Sequence, residues 1–96
     1  MARWLKADGT EEPVHPKGKA WSLAELQKLV GGFIEAPPWL EPVRMVWNEE
    51  GALLDLPVNA TATAIVRDRV LRDGQPLRYL PTIVGDAVLF EDDDRW

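Results

Sequence analysis

The chain is predicted to fold as α+β: a small antiparallel sheet of four to six short strands packed against one or two short helices, as a single compact domain over residues 1–96. Three observations predict it. One amphipathic stretch, "WSLAELQKLVGG", opens on a helix-capping sequence and closes on glycine. Around it lie apolar runs too short for helices, each stopped by proline or glycine. A composition of 46% hydrophobic and 28% charged residues in 96 residues suits a globular chain with one core and not two.

"RWLKAD" (residues 3–8) alternates and meets Gly9, as a first strand does. "GTEEPVHPKGK" reads as a loop or an edge hairpin, because its two prolines have no N–H for a ladder. His15, between those prolines, has no carboxylate or histidine at ligand spacing and reads as a surface residue. In the helical stretch Ser22 and Glu25 form an S-x-x-E capping box. Leu23, Leu26, Leu29 and Val30 share one face, and Trp21 is placed to staple onto it. Gly31 and Gly32 follow this helix, at its carbonyl-rich end. Phosphates gather at the opposite end, so the pair reads as a left-handed corner rather than a phosphate cradle.

"FIEAPPWL" starts as a strand and stops at Pro37 and Pro38. "VRMVWNEEGALLDLPVN" reads as strand, turn and short strand, with Gly51 in the turn and Leu53, Leu54 and Leu56 returning to the core. Asn59 can cap a second helix over "ATATAIVRDRVL", with Ala62, Ile65, Val66 and Val70 in a stripe. The Thr and Val content suits a strand as well, so both remain open. "RDGQP" reads as a turn and "TIVGDAVLF" (residues 82–90) as a final strand interrupted at Gly85. The helices are expected on one face of the sheet. Uncovered strand edges then predict a homo-oligomer.

The absence of cysteine excludes disulfides, thiolate catalysis and cysteine-ligated metals. A net charge of −5 argues against general nucleic-acid binding, which needs lysines and arginines to displace counterions. Part of that charge is "EDDD", residues 91–94, read as the start of a short solvated acidic tail, 91–96. Few Asn, Gln and Met residues together with eight prolines lean toward a thermophilic source, a bias that GC-rich coding also produces. No apolar run approaches the roughly 20 residues of a membrane span, and the N-terminus has no apolar h-region, so a cytoplasmic protein is expected.

No nucleotide-binding glycine loop, zinc-protease helix or nucleophile elbow occurs. The acidic runs lack calcium-loop spacing, and one histidine cannot build an imidazole metal site. No catalytic residue, metal site or cofactor is therefore assigned, and the chain reads as a non-enzyme. Binding chemistry is better represented. Arg44 lies close to Trp47, and arginine beside an aromatic can hold a nucleotide's phosphate and base together. Arg67, Arg69, Arg72 and Arg78 cluster around the second helix; pairing with neighbours such as Asp68 and Asp73 is the plainer reading of these. Trp39, in a rigid proline loop, suits an interface with a partner chain.

Three motifs in order, "S-x-x-x-L-Q-x-x-V-G-G-F-I-E" (22–35), "N-E-E-G-x-L-x-x-L-P-x-N" (48–59) and "I-V-G-D-A-V-L" (83–89), resemble domain-of-unknown-function family 3846. Its members are small proteins of phages, plasmids and bacteria. The motifs span roughly three quarters of the chain, and "APPWLEPV" and "VLRDGQPLRYLP" depart from the pattern. The resemblance implies a small α+β domain carried on mobile elements, and it brings no catalytic residues. Together with the arginines and tryptophans, it leads to the expectation of a non-catalytic binding protein for a small anionic ligand. The concrete form is an anti-defence sponge for a nucleotide second messenger, with a pocket of Arg44, Trp47, Asn48 and Asn59. The alternative is a protein–protein inhibitor or adaptor that binds a host enzyme through Trp39.

Overall fold

The structure, a computed structural model, describes residues 1–74 and 80–96. Five strands, β1 (Ala2–Leu5), β2 (Glu11–Val14), β3 (Ile34–Glu35), β4 (Met45–Asn48) and β5 (Ala87–Leu89), form one sheet in the order β2-β1-β5-β4-β3. Every pairing is antiparallel. Helices α1 (Leu23–Val30) and α2 (Ala60–Arg72) complete the α+β architecture. No helix among the described residues is long and apolar enough to cross a membrane.

The helices do not share a face as expected; they cover opposite ones. The reason is legible in β4, whose four residues are all buried. Met45 and Trp47 point into a core with Leu5, Ala62, Val66, Val70 and Ala87, which is the α2 side. Val46 points the other way, with Val88, Trp21, Leu26 and Val30, which is the α1 side. A strand with no wet face needs a cover on both sides.

Helix α1 begins as predicted. The Ser22 hydroxyl oxygen accepts the Glu25 N–H at 3.2 Å, and the Glu25 carboxylate accepts the Ser22 N–H at 3.2 Å. Leu26 and Val30 are buried, whereas Leu23 is 53% exposed, so the buried stripe starts one turn later than its periodicity suggests. Gly31 closes the helix at φ 82°, with its N–H on the Gln27 carbonyl at 2.8 Å. Donors from Lys17 and Ser22 hold the Glu25 carboxyl below its ordinary range. Its stabilising effect is therefore present above the unfolded value, near 4.3, and is lost as pH falls through the folded value. In Ser22→Ala, carbon-detected NMR titration should show the Glu25 pKa rising back toward the model-peptide value.

Asn59 resolves the second open segment as a helix. Its side-chain oxygen accepts the Ala62 N–H at 3.0 Å, and Ala62, Thr63, Val66 and Val70 are buried. The threonine that suggested a strand has a different use. The Thr63 hydroxyl donates to the Ile83 carbonyl at 3.2 Å and accepts the Ile83 N–H at 2.9 Å, tying α2 to the chain that leads into β5.

One expected strand does not form, and the last is shorter than predicted. After β4 the chain closes on itself, with Leu54 N–H on Glu50 O at 2.9 Å and Leu56 N–H on Gly51 O at 3.0 Å. Local bonds replace a ladder there, leaving Leu53 84% and Leu54 54% exposed, so the leucine return to the core does not occur. The last strand is reduced to Ala87–Leu89, because Gly85 at φ 77° turns the chain just before it. Beyond Gly74, the "RDGQP" turn and Arg78 fall partly or wholly outside the described residues.

The acidic tail is not a solvated end. Asp94 is buried, accepting Trp21 Nε1–H at 3.2 Å and the Glu91 N–H at 2.7 Å. Trp21 N–H donates to Arg95 O at 2.6 Å, and Arg44 donates to the carbonyls of Glu91 and Asp94. Buried polar atoms need partners, and this strap supplies them to Trp21. Asp92 and Asp93 remain exposed, as the composition suggested.

Candidate functional site

The cleft of interest opens where β3 leaves the sheet. Pro37 and Pro38 have no N–H to donate, so β3 pairs with β4 only through Ile34↔Asn48 and Glu35↔Trp47. The chain then turns away into a 3-10 helix, Pro38–Leu40, anchored by buried Leu40. Its departure leaves a cleft of about 220 Å³ beside β4, lined by Pro37, Pro38, Arg44, Met45, Phe90 and Trp96 among others.

Arg44 and two aromatic rings give this cleft its chemistry. The guanidinium carbon lies 5.8 Å from the Phe90 ring centroid, and Trp96 stacks on Phe90 at 5.7 Å with 18° between planes. Two of the guanidinium's N–H groups go to the strap carbonyls. A guanidinium carries five, so three are uncommitted among the described residues. Trp96 is 52% exposed, so one ring face is available to a guest. The volume lies below the roughly 300–1,000 Å³ of pockets that enclose a whole drug-sized ligand, so a ligand that reaches both Trp96 and Arg44 is only partly enclosed.

The predicted pocket residues do not converge here. Only Arg44 lines the cleft. Arg44 immediately precedes β4 and lies three residues before Trp47, which by strand alternation puts their side chains on opposite faces. Trp47 is buried in the α2 core, with Nε1–H on the Glu35 carboxylate at 3.3 Å. The buried Asn48 donates to Val30 O at 3.3 Å and accepts Glu50 N–H at 2.8 Å. Asn59, fully buried, donates to Leu5 O and Gly85 O, both at 2.9 Å, while capping α2. Their amides serve the main chain, so Trp47, Asn48 and Asn59 are structural residues in this geometry. Phe90 and Trp96 were missed because the cleft joins segments about fifty residues apart, and only tertiary structure brings them together.

The helix arginines also act on the main chain. Arg67 donates to Pro81 O, Arg69 donates to Glu41 O and to the Asp73 carboxylate, and Arg72 pairs with Asp68 at 3.0 Å. An open groove of about 610 Å³ lies among Pro42, Val43, Ile65, Asp68, Arg69 and Arg72, but its cations are already paired. Trp39 is 50% exposed on the 3-10 helix, as an interface residue requires, and does not line the cleft. Among the described residues no three His, Cys, Asp or Glu side chains are grouped to hold a metal.

The three motif segments meet one another instead of a cavity. A Cβ on Gly32 would stand 2.9 Å from Asn48 Nδ2, and one on Gly51 would stand 2.7 Å from Val84 Cγ2. One on Gly85 would stand 2.7 Å from Leu56 Cδ1, and Asn59 bonds the Gly85 carbonyl. Each motif thus supplies a glycine or asparagine that lets another motif approach. Comparison with curated proteins and with solved structures finds no match. The family model described as Domain of unknown function (DUF3846) matches residues 3–96, and the chain belongs to that family.

Proposed function

We propose that this domain is a non-catalytic binding protein of phage or mobile-element type that takes a small anionic ligand bearing a flat ring. A nucleotide second messenger, sequestered to block host defence signalling, is the concrete form. What supports this reading is the placement of Arg44 beside the Phe90–Trp96 stack in the cleft at the end of β4. A base would lie on Trp96 while the phosphate meets the free edge of the guanidinium. The ligand set moves accordingly from Arg44, Trp47, Asn48 and Asn59 to Arg44, Phe90 and Trp96.

Calorimetry against a panel of cyclic and linear nucleotides tests this. Saturable binding of at least one is expected, with the ligand recovered intact after prolonged incubation. Stacking of a base on an aromatic ring contributes about 1–3 kcal/mol, so Trp96→Ala should weaken that binding by about tenfold or more. Arg44→Lys keeps the charge but removes the fork, and should also weaken it. Absence of heat with every nucleotide removes the proposal.

A further inference from the structure

The two edges of the sheet are built differently. Edge strand β2 contains Pro13, and its neighbourhood is neutralised by the pairs Arg3–Glu11 at 3.7 Å and Lys6–Glu12 at 3.2 Å. Proline and paired charges are how a protein blunts an edge. Edge strand β3 has neither within it. Glu49 N–H bonds Phe33 O at 2.9 Å, so residues 33 and 35 turn their main-chain groups toward β4. By the alternation of an antiparallel ladder, the N–H and C=O of Ile34 and Ala36 point outward. Among the described residues no strand pairs with that side.

The side chains around this edge are equally unguarded. Phe33 is 61% exposed and Trp39 50%, at either end of the open stretch. Glu35 and Glu49 are exposed on the same side of the sheet as Phe33, and among the described residues neither has a salt-bridge partner. Two carboxylates without a cationic partner among the described residues, between two bare aromatics, define what can add there; that of Glu35 also accepts the Trp47 Nε1–H. A second copy that pairs Ile34 with its Ala36 about a twofold axis, the register that uses both outward residues, would set Glu35 against Glu35 across the new ladder, which disfavours it.

We propose that β3 is a docking edge for an extended, basic segment of another protein, which adds as a sixth strand. Its main chain pairs with Ile34 and Ala36; on the face that carries Phe33, Glu35 and Glu49 its lysines or arginines reach the carboxylates, and its apolar side chains, two positions along on that same face, cover Phe33 and Trp39. Pro37 and Pro38 end the pairing and set its register. This surface adjoins the Arg44 cleft, which Ala36, Pro37 and Pro38 also line, but its test does not depend on nucleotide binding.

The probe is a capped, fluorescent peptide of the repeat Lys-Thr-Val-Thr, about eight residues long, which puts lysine and valine on one face of a strand, titrated by anisotropy. Saturable binding is expected, with about tenfold loss in Ala36→Pro, which removes an outward N–H, and about tenfold loss in Phe33→Ser/Trp39→Ser, which leaves the backbone intact. Thermal melts confirm that both variants are folded, and if Ala36→Pro is not, the serine pair alone decides. The same peptide with glycine in place of each valine, of equal charge, should bind at least tenfold more weakly. Equal binding of that peptide, or unchanged affinity in the serine pair, reduces the effect to charge attraction and overturns the proposal. A dimer in ultracentrifugation that dissociates in the serine pair overturns it too, by making the occupant a second copy.

Discussion

Asn59→Ala should lower the unfolding free energy by about 3–5 kcal/mol and the melting temperature by roughly 15–30 °C. The side chain is fully buried and makes three bonds, to Leu5 O, Gly85 O and Ala62 N–H. Truncation leaves two carbonyls of the β1–β5 region without a partner as well as removing the α2 cap. Asn59→Asp separates those roles. Aspartate caps a helix as well as asparagine does, yet here its second oxygen would face two carbonyl oxygens. If Asn59 acted only as a cap, Asn59→Asp would melt like the wild type. The geometry predicts instead a loss at least as large as that of alanine, read by urea unfolding.

Asp94→Ala should cost about 2–3 kcal/mol, whereas Asp92→Ala should stay within about 0.5 kcal/mol of wild type. Both remove one negative charge from the same acidic run. Only Asp94 accepts a buried tryptophan N–H and a main-chain N–H. Matched urea curves at one ionic strength compare them directly. Equal small effects would return the segment to a solvated tail. Asp94→Asn, which preserves an acceptor for Trp21, should recover part of the loss.

Local chemistry made much of this fold legible before any coordinates. The capping box at Ser22, the left-handed glycine at Gly31, the cap at Asn59 and the proline-marked edge at Pro13 each depend on residues within a few positions of one another. Errors arose where a residue's use is decided far along the chain. The β4 run "MVWN" resembles a one-sided strand until β5 and β3 flank it, and only then does it require helices on both faces. Leu53 and Leu54 look like core residues by composition, but the closed turns at Glu50 and Gly51 keep them outside. Asn48 and Asn59 have the right chemistry for ligands. Nothing local reveals that Val30, Leu5 and Gly85 carbonyls engage them first. Arg44 stands out by its aromatic neighbourhood in the sequence, but its aromatic partners come from beyond β5 and not from the adjoining β4.

The place of β5 in the sheet has a consequence for how the chain acquires its shape. The hairpin β1–β2 and the pair β3–β4 touch only through β5, where Arg3 meets Leu89 on one side and Met45 meets Leu89 on the other. During synthesis from the N-terminus, the residues of both half-sheets therefore emerge before the strand that unites them. Neither of the two cores can close until residues 87–89 emerge, since Ala87 belongs to one and Val88 to the other. Pairings that span most of the chain are entropically slow to form. Maturation of this domain is thus a late, all-at-once event. A nascent chain interrupted at about residue 86 presents apolar surface from both half-sheets to whatever chaperone or protease is nearby.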